Sequence, residues 1–343
     1  MDSLNFVNLI QAATVGISIL GGLLLWRQSP FVEVALLLFL IAFASAVNIF
    51  EETGITRDIY LLSPVFIMLF GPASYLAAKH ITNQTLRTSD WMHLLPVAPV
   101  LLFTSHVAVV IVIGTVWRVV YAYFTATLLI KYKQALDEKR SDSDDFSLNW
   151  LVWVLVATAL FNLVDLARLN SQQFLPYELN LIGQAVNNMV WLVVAMLITI
   201  KLIDQKALTK PHQVTLTDVH SEAKPVPENY CSTFNELDKL ITNNQWFLTP
   251  RLTLSDVSEL SGLQPRDISR AINTVANKSF NEYINEYRIL HIRQALDAQS
   301  PQSLTRLYTD AGFSSKASFN KVFKEYTGKT PSEYKAQVKS KHK

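Results

Sequence analysis

The chain has 343 residues, room for two or three domains; half are hydrophobic and only 17% are charged, against about a quarter in soluble domains. The single cysteine, Cys231, excludes an internal disulfide framework and a cysteine zinc cluster. Residues 1–230 hold 14 Lys+Arg and 17 Asp+Glu, residues 231–343 hold 16 and 11, so the positive surplus lies at the back and points to a polyanionic partner.

Met1–Asn5 lacks a basic leader, and the apolar run that follows is long enough to span a bilayer, so no cleavable signal is expected. Crossing the hydrocarbon takes roughly 20 apolar residues. Stretches 6–26, 31–50, 59–78, 148–168 and 181–203 meet that length. Between them, 92–131 is nearly unbroken apolar sequence; as a helix it is about 60 Å long, twice the bilayer core, so it folds back once. Gly114-Thr115 is the expected turn because it leaves comparable halves, whereas Thr104-Ser105-His106 leaves a short first half. The count is seven.

The distribution of basic residues supports it. With the N-terminus outside, inner loops carry Arg27, Lys79, Arg87, Lys131, Lys133, Lys139, Arg140, Lys201 and Lys206. Outer loops carry Arg57, Arg118 and Arg168 beside Glu51, Glu52 and Asp58. That asymmetry is the positive-inside pattern of a multi-pass inner-membrane protein with its C-terminal domain in the cytoplasm. Trp26, Trp91, Trp117 and Trp150 fall near expected span ends, and Pro64 and Pro72 are expected to kink the third span. Gln11, Asn48, Asp165, Arg168, Gln184, Asn187 and Asn188 fall in the outer half of the spans, where polar groups are costly and often line a cavity. Asp165 and Arg168, at i and i+3, can pair on one helix face. A ligand pocket built from Asn48, Asp165, Arg168, Gln184, Asn187 and Asn188 is one reading; interhelical hydrogen bonding is the other.

Residues 204–233 are polar, carry three prolines and have no sustained period, as a linker does. From 234 the pattern is helical. Thr253 with Asp256 forms a capping box, Gly262 stops the helix, and Pro265 suits the first position of the next. Ser279 with Glu282 opens a longer helix to about Leu296. Ser303, Gly312, Ser315 and Gly328 then repeat the helix-turn-helix grammar, with Phe319, Val322 and Phe323 as the buried stripe, and Thr330-Pro331 starts a last helix. Two such pairs joined by one helix form a specific pattern, because that helix can hold two reading helices near one DNA turn apart.

Residues 234–335 resemble the DNA-binding domain of AraC/XylS-type bacterial transcription regulators, most closely in AGFSSKASFNKVFKEYTGKTPSEYK and SFNEYINEYRI. More weakly, LFGPASYLAAKH and HLLP resemble the multi-spanning half of membrane-tethered members. The resemblance implies that Arg266, Ser269 and Arg270 of the first reading helix face the groove. On the second it implies Lys316, Asn320 and Lys321, with Ser315 near a phosphate; Lys324 is expected to serve the phosphate backbone of any sequence alike. The side-chain chemistry agrees, since Arg pairs with guanine, Asn with adenine and Lys with either phosphate or guanine.

The expected fold is all-α: a seven-helix transmembrane sensor bundle (1–203), a cytoplasmic linker (204–233) and a helical domain with two helix-turn-helix motifs (234–343). The expected function is a non-enzymatic, membrane-tethered one-component regulator of transcription, with neither cofactor nor metal. Its expected partners are double-stranded promoter DNA and the lipid bilayer. RNA polymerase, a second copy of the chain, and a small-molecule or membrane-protein signal are further candidates. The rival reading is a membrane receptor or transporter whose helical tail binds a protein.

Overall fold

The structure, a computed structural model, describes residues 5–27, 31–57, 59–82, 88–104, 106–171, 174–206 and 230–341. Arg87, Asp58, Ser105 and the linker stretch 207–229 therefore lie outside the described residues. Contacts divide the chain into two compact units, Met1–Tyr132 with Leu148–Leu216, and Lys133–Ser147 with Thr217–Lys343. Every regular element among the described residues is a helix.

The first unit comprises α1 (Phe6–Trp26), α2 (Val32–Glu52), α3 (Ser63–Ile81), α4 (Val97–Leu102), α5 (Val107–Lys139, whose last turns belong to the other unit), α6 (Asn149–Asn170) and α7 (Tyr177–Lys206). Among the described residues five of these (α1, α2, α5, α6 and α7) are long and apolar enough to cross a membrane. The Asn5 side chain opens α1 by accepting from the amides of Val7 and Asn8, at 2.8 and 3.2 Å. Small residues then set the spacing. A Cβ on Gly21 would stand 2.2 Å from Thr199 Oγ1 of α7, and one on Gly22 would stand 2.5 Å from a ring carbon of Phe39 on α2. Glycine at both positions lets the three backbones approach closely. Leu25, Leu38, Leu129, Ala195 and Leu202 fill the space between them. On α6, Trp153, Leu160 and Val164 instead point outward, 60–71% exposed, a face suited to acyl chains.

The expected turn at Gly114-Thr115 is not formed. α5 runs unbroken through it, and the interruption lies between Leu102 and Val107, around Thr104 and His106. Gly114 is a packing glycine: a Cβ there would stand 2.4 Å from Ile67 Cγ2 of α3. The stretch before the break, with Pro96 and Pro99, forms only the 3-10 helix Thr88–Leu94 and the short α4, because proline cannot donate the bonds a longer helix needs. Two further expectations change with it. Arg118 and Trp117 lie well inside α5 rather than in an outer loop or at a span end, and Pro64 sits in the first turn of α3, leaving only Pro72 in the helix interior.

The second unit contains α8 (Tyr230–Asn243), α9 (Leu254–Ser261), α10 (Pro265–Ala271, continued by a π turn through Ala276), α11 (Phe280–Asp297), α12 (Leu304–Asp310), α13 (Lys316–Thr327) and α14 (Pro331–Lys341). The capping boxes Thr253–Asp256 and Ser279–Glu282 are both closed, Ser303 and Ser315 cap α12 and α13, and Gly262 and Gly328 end their helices at φ +73 and +71. α11 holds the unit together. Its first half (Phe280, Ile284) packs into a core with Leu237, Ile241, Val257, Ile268 and Ile272. Its second half (Ile289, Ile292, Leu296) packs into another with Leu307, Phe313, Phe319, Val322 and Phe323. Eighteen residues make α11 about 27 Å long.

Candidate functional site

Each half of the second unit presents one helix behind a tight turn. In the first, Gly262 turns the chain between α9 and α10, and Ser258 Oγ donates to the Leu263 carbonyl at 2.6 Å, fixing the turn from within. Buried Ile268 and Ile272 fasten the inner face of α10, so its other face is free for polar work: Arg266 is exposed, and Ser269 and Arg270 are half-buried. Arg270 Nη1 lies 3.5 Å from the Tyr230 hydroxyl. In the second half, Gly312 turns between α12 and α13 at φ +87. Phe319, Val322 and Phe323 anchor α13, with Tyr308 stacked on Phe319 at 5.2 Å. Lys316, Asn320, Lys321 and Lys324 are all exposed on the opposite side, and Ser315 caps the helix by accepting from the Ser318 amide.

A buried guanidinium joins the halves. Arg288 of α11 is 1% exposed. Its Nε donates to the Phe247 carbonyl at 2.7 Å and Nη2 to the Thr249 carbonyl at 2.8 Å, while the charged group lies 5.5 Å from the Phe313 ring centre. Burial lowers its pKa to about 10, with Asp142 opposing the shift; it is charged at neutral pH.

The structure also places residues 133–147 in this unit, although the sequence reading treated them as an inner loop of the membrane half. Arg140, Ser141, Asp142 and Ser143 are buried there. Ser141 N donates to the Leu252 carbonyl at 3.0 Å, and its own carbonyl accepts from Asn281 and Asn285 of α11 at 2.8 and 3.2 Å. Arg140 forms a two-bond pair with Asp142 at 2.9 and 3.1 Å. On either side of this anchor, three carboxylates meet the two presented helices. Glu138 Oε2 accepts from Ser269 Oγ and Asn273 Nδ2, both at 3.0 Å. Asp144 pairs with Lys321 at 3.0 Å, and Asp145 accepts from Ser314, Ser315 and Ser318 at 2.6–2.7 Å. Burial alone raises the Asp144 pKa, but Lys133 and Lys321 beside it more than reverse this and hold it below the ordinary carboxylate value. Asn273, Ser314 and Ser318 were not singled out from sequence; a polar residue on an exposed helix face carries no signal until its partner is placed.

A helix-turn-helix domain family matches residues 257–337. The C-terminal third carries an AraC-type helix-turn-helix domain. This domain is similar to an uncharacterized HTH-type transcriptional regulator of Staphylococcus aureus strain COL, 32% identical over 84 residues. Proteins of the same description from strains MSSA476 and N315 match at the same identity. The matched stretch is 24% of this chain and 11% of those relatives, so the chain spans only a small part of their length. No solved structure matches.

In the first unit a cavity of about 330 Å³ is lined by all six residues proposed from sequence: Asn48, Asp165, Arg168, Gln184, Asn187 and Asn188. Arg168 Nε donates to Asp165 Oδ1 at 2.8 Å, the i, i+3 pair. Two groups that sequence reasoning left aside dominate the rest. Glu52, at the end of α2, accepts from Asn8, Gln11 and Gln184 at 2.6–2.8 Å. Arg118 lines the same cavity, and its Nε is buried with no hydrogen-bond partner among the described residues; so is Asn187 Oδ1.

Proposed function

We propose that the chain is a membrane-tethered, one-component transcription regulator of the bacterial inner membrane. In this reading, the helical bundle binds a signal and the helix-turn-helix domain binds promoter DNA while still attached. The observation that carries it is the pairing, in one chain, of five membrane-length apolar helices with a domain whose two presented helices expose Arg266, Lys316, Asn320, Lys321 and Lys324. On α10, Arg266, Ser269 and Arg270 face bases and backbone; on α13, Lys316, Asn320 and Lys321 do so, with Ser315 and Lys324 on phosphates. Two reading helices separated by α11 suit two groove segments one turn apart. In full-length protein held in lipid nanodiscs, duplex affinity should fall steeply with salt, and Arg266→Ala with Lys321→Ala should reduce the salt slope. Salt-insensitive capture of a protein, with no duplex bound, would favour the protein-binding tail instead.

Seven crossings remain our reading of the bundle, and the cavity supports it. The cavity is lined by the N-terminal ends of α1, α3, α5 and α7 and the C-terminal ends of α2 and α6. α3 therefore leaves this end and α5 starts at it, which supports reading the part that holds Thr88–Leu94 and α4 as a return across the bundle. In this reading the N-terminus lies on the cavity side, outside, and the end of α7 on the cytoplasmic side, in line with the basic inner loops. The cavity is then the receptor site. Arg118 and Asn187 offer an unfilled donor and acceptor, and Phe66, Phe70 and Trp191 a nonpolar wall. A small amphiphile bearing a carboxylate or similar oxyanion beside a hydrogen-bond donor fits this set. Asp165→Asn or Arg118→Gln should change reporter output while leaving the purified protein's duplex affinity intact. Unchanged output from both would remove the cavity from the signal path.

A further inference from the structure

Resting on the DNA-binding reading above, we infer that residues 138–146 are an internal competitor of DNA, docked across both reading helices and displaced when the regulator engages its site. The segment and DNA would use the same donor atoms. Ser269, Ser315 and Lys321 were assigned to DNA from sequence, without reference to this segment. In the structure they are bonded to Glu138, Asp145 and Asp144. The other donors used are Asn273 in the π turn after α10, Ser314 in the turn before α13 and Ser318 in the first turn of α13.

The chemistry matches as well. A phosphate backbone offers these helices acceptor oxygens with negative charge, and three carboxylates within eight residues offer the same. Asp145, with three hydroxyl donors at the capped start of α13, occupies a position suited to an anion at a helix N-terminus. Asp144 takes the ammonium group of Lys321 that would neutralise a phosphate.

The centre of the segment is built to stay in register. The Arg140–Asp142 pair stiffens it, the guanidinium of Arg140 lies 4.3 Å from the Phe146 ring, and Asn281, Asn285 and Arg288 of α11 (positions i, i+4 and i+7 of one helix face) bind Ser141. A loop fastened only for stability would not place three of its four carboxylates against the two reading helices. The contacts of Glu138, Asp144 and Asp145 with the reading helices are polar and exchangeable, so a duplex can replace them donor for donor. The segment also joins the two helices that bring Arg118 and Asp165 to the membrane cavity, α5 and α6.

The test bridges the contact reversibly. Full-length protein with Cys231→Ser, Asp145→Cys and Ser318→Cys is reconstituted in nanodiscs and treated with a short, reductively cleavable bis-maleimide. Its binding to a pool of random-sequence duplex DNA is then measured by fluorescence anisotropy at low salt. Bridging should proceed readily and be slowed by duplex. Bridged protein should bind at least about tenfold more weakly than the same sample after reduction. In an otherwise unaltered chain, Glu138→Gln with Asp144→Asn should bind the pool about tenfold more tightly than the parent. Failure to bridge, or equal affinity before and after reduction, would overturn the competitor while leaving DNA binding in place. No duplex bound by any of these proteins would remove the DNA-binding reading, and the competitor with it.

Discussion

At the scale of the residue, the second unit depends on positions where one atom decides. A Cβ on Gly312 would stand 2.6 Å from the Leu248 carbonyl oxygen, with φ at +87. Gly312→Ala should therefore cost about 1–3 kcal/mol of domain stability through clash and left-handed strain together. Gly262, with open space around it, should tolerate alanine better; urea midpoints of the two variants check the order. The Lys321–Asp144 pair sets a pH dependence. The Asp144 pKa is lowered, so its contribution is complete above the ordinary carboxylate value and is lost as pH falls through the lowered one. Burial pulls the Lys321 pKa down, but Asp144 pulls it further up, so its contribution is complete below the ordinary lysine value and is lost as pH rises past the raised one. In Glu138→Gln protein, which removes a neighbouring carboxyl whose own pKa burial raises, hydrogen-exchange protection at Ser141, corrected for intrinsic rate, should stay level from about pH 5 to 9; loss of protection at pH 5 there would contradict the pairing. Capping residues were legible in sequence because a cap is local: Thr253, Ser279, Ser303 and Ser315 act within three residues of themselves. Glu52 was not, since its partners stand on other helices, and neither was Arg118, which lines the cavity only once α5 packs among its neighbours.

At the scale of the element, sequence period identified the helices and misjudged one turn. Gly114 resembles a break in an apolar run; its role is to admit Ile67, a contact formed only when α3 and α5 pack. The two prolines before Phe103 were the better signal, since their missing donors act locally. In α13 the stripe Phe319, Val322, Phe323 was readable, and Phe319, 1% exposed and in ring contact with Tyr308, Phe313 and Phe323, is its centre. Phe319→Ala should cost about 3–5 kcal/mol. It should release the second reading helix, seen as loss of amide protection in α13 before α10. The resemblance pointed to the polar faces of α10 and α13, which are turned away from the core. The segment 133–147 was not, because its packing joins residues more than a hundred positions apart.

For the whole molecule, composition alone separated an apolar front from a basic back. The exposed Cys231 offers a direct check on their sidedness. In intact cells a membrane-impermeant maleimide should leave Cys231 unlabelled until the inner membrane is breached; labelling from outside would reverse the topology. The account stands or falls on whether the tethered protein reads DNA. The measurement that addresses this most directly is selection from a random duplex library by the full-length chain in nanodiscs at physiological salt, with the Glu138→Gln, Asp144→Asn variant alongside. The account predicts enrichment of two short boxes about one helical turn apart, recovered more efficiently by the variant. A library that emerges unenriched from both proteins would contradict it.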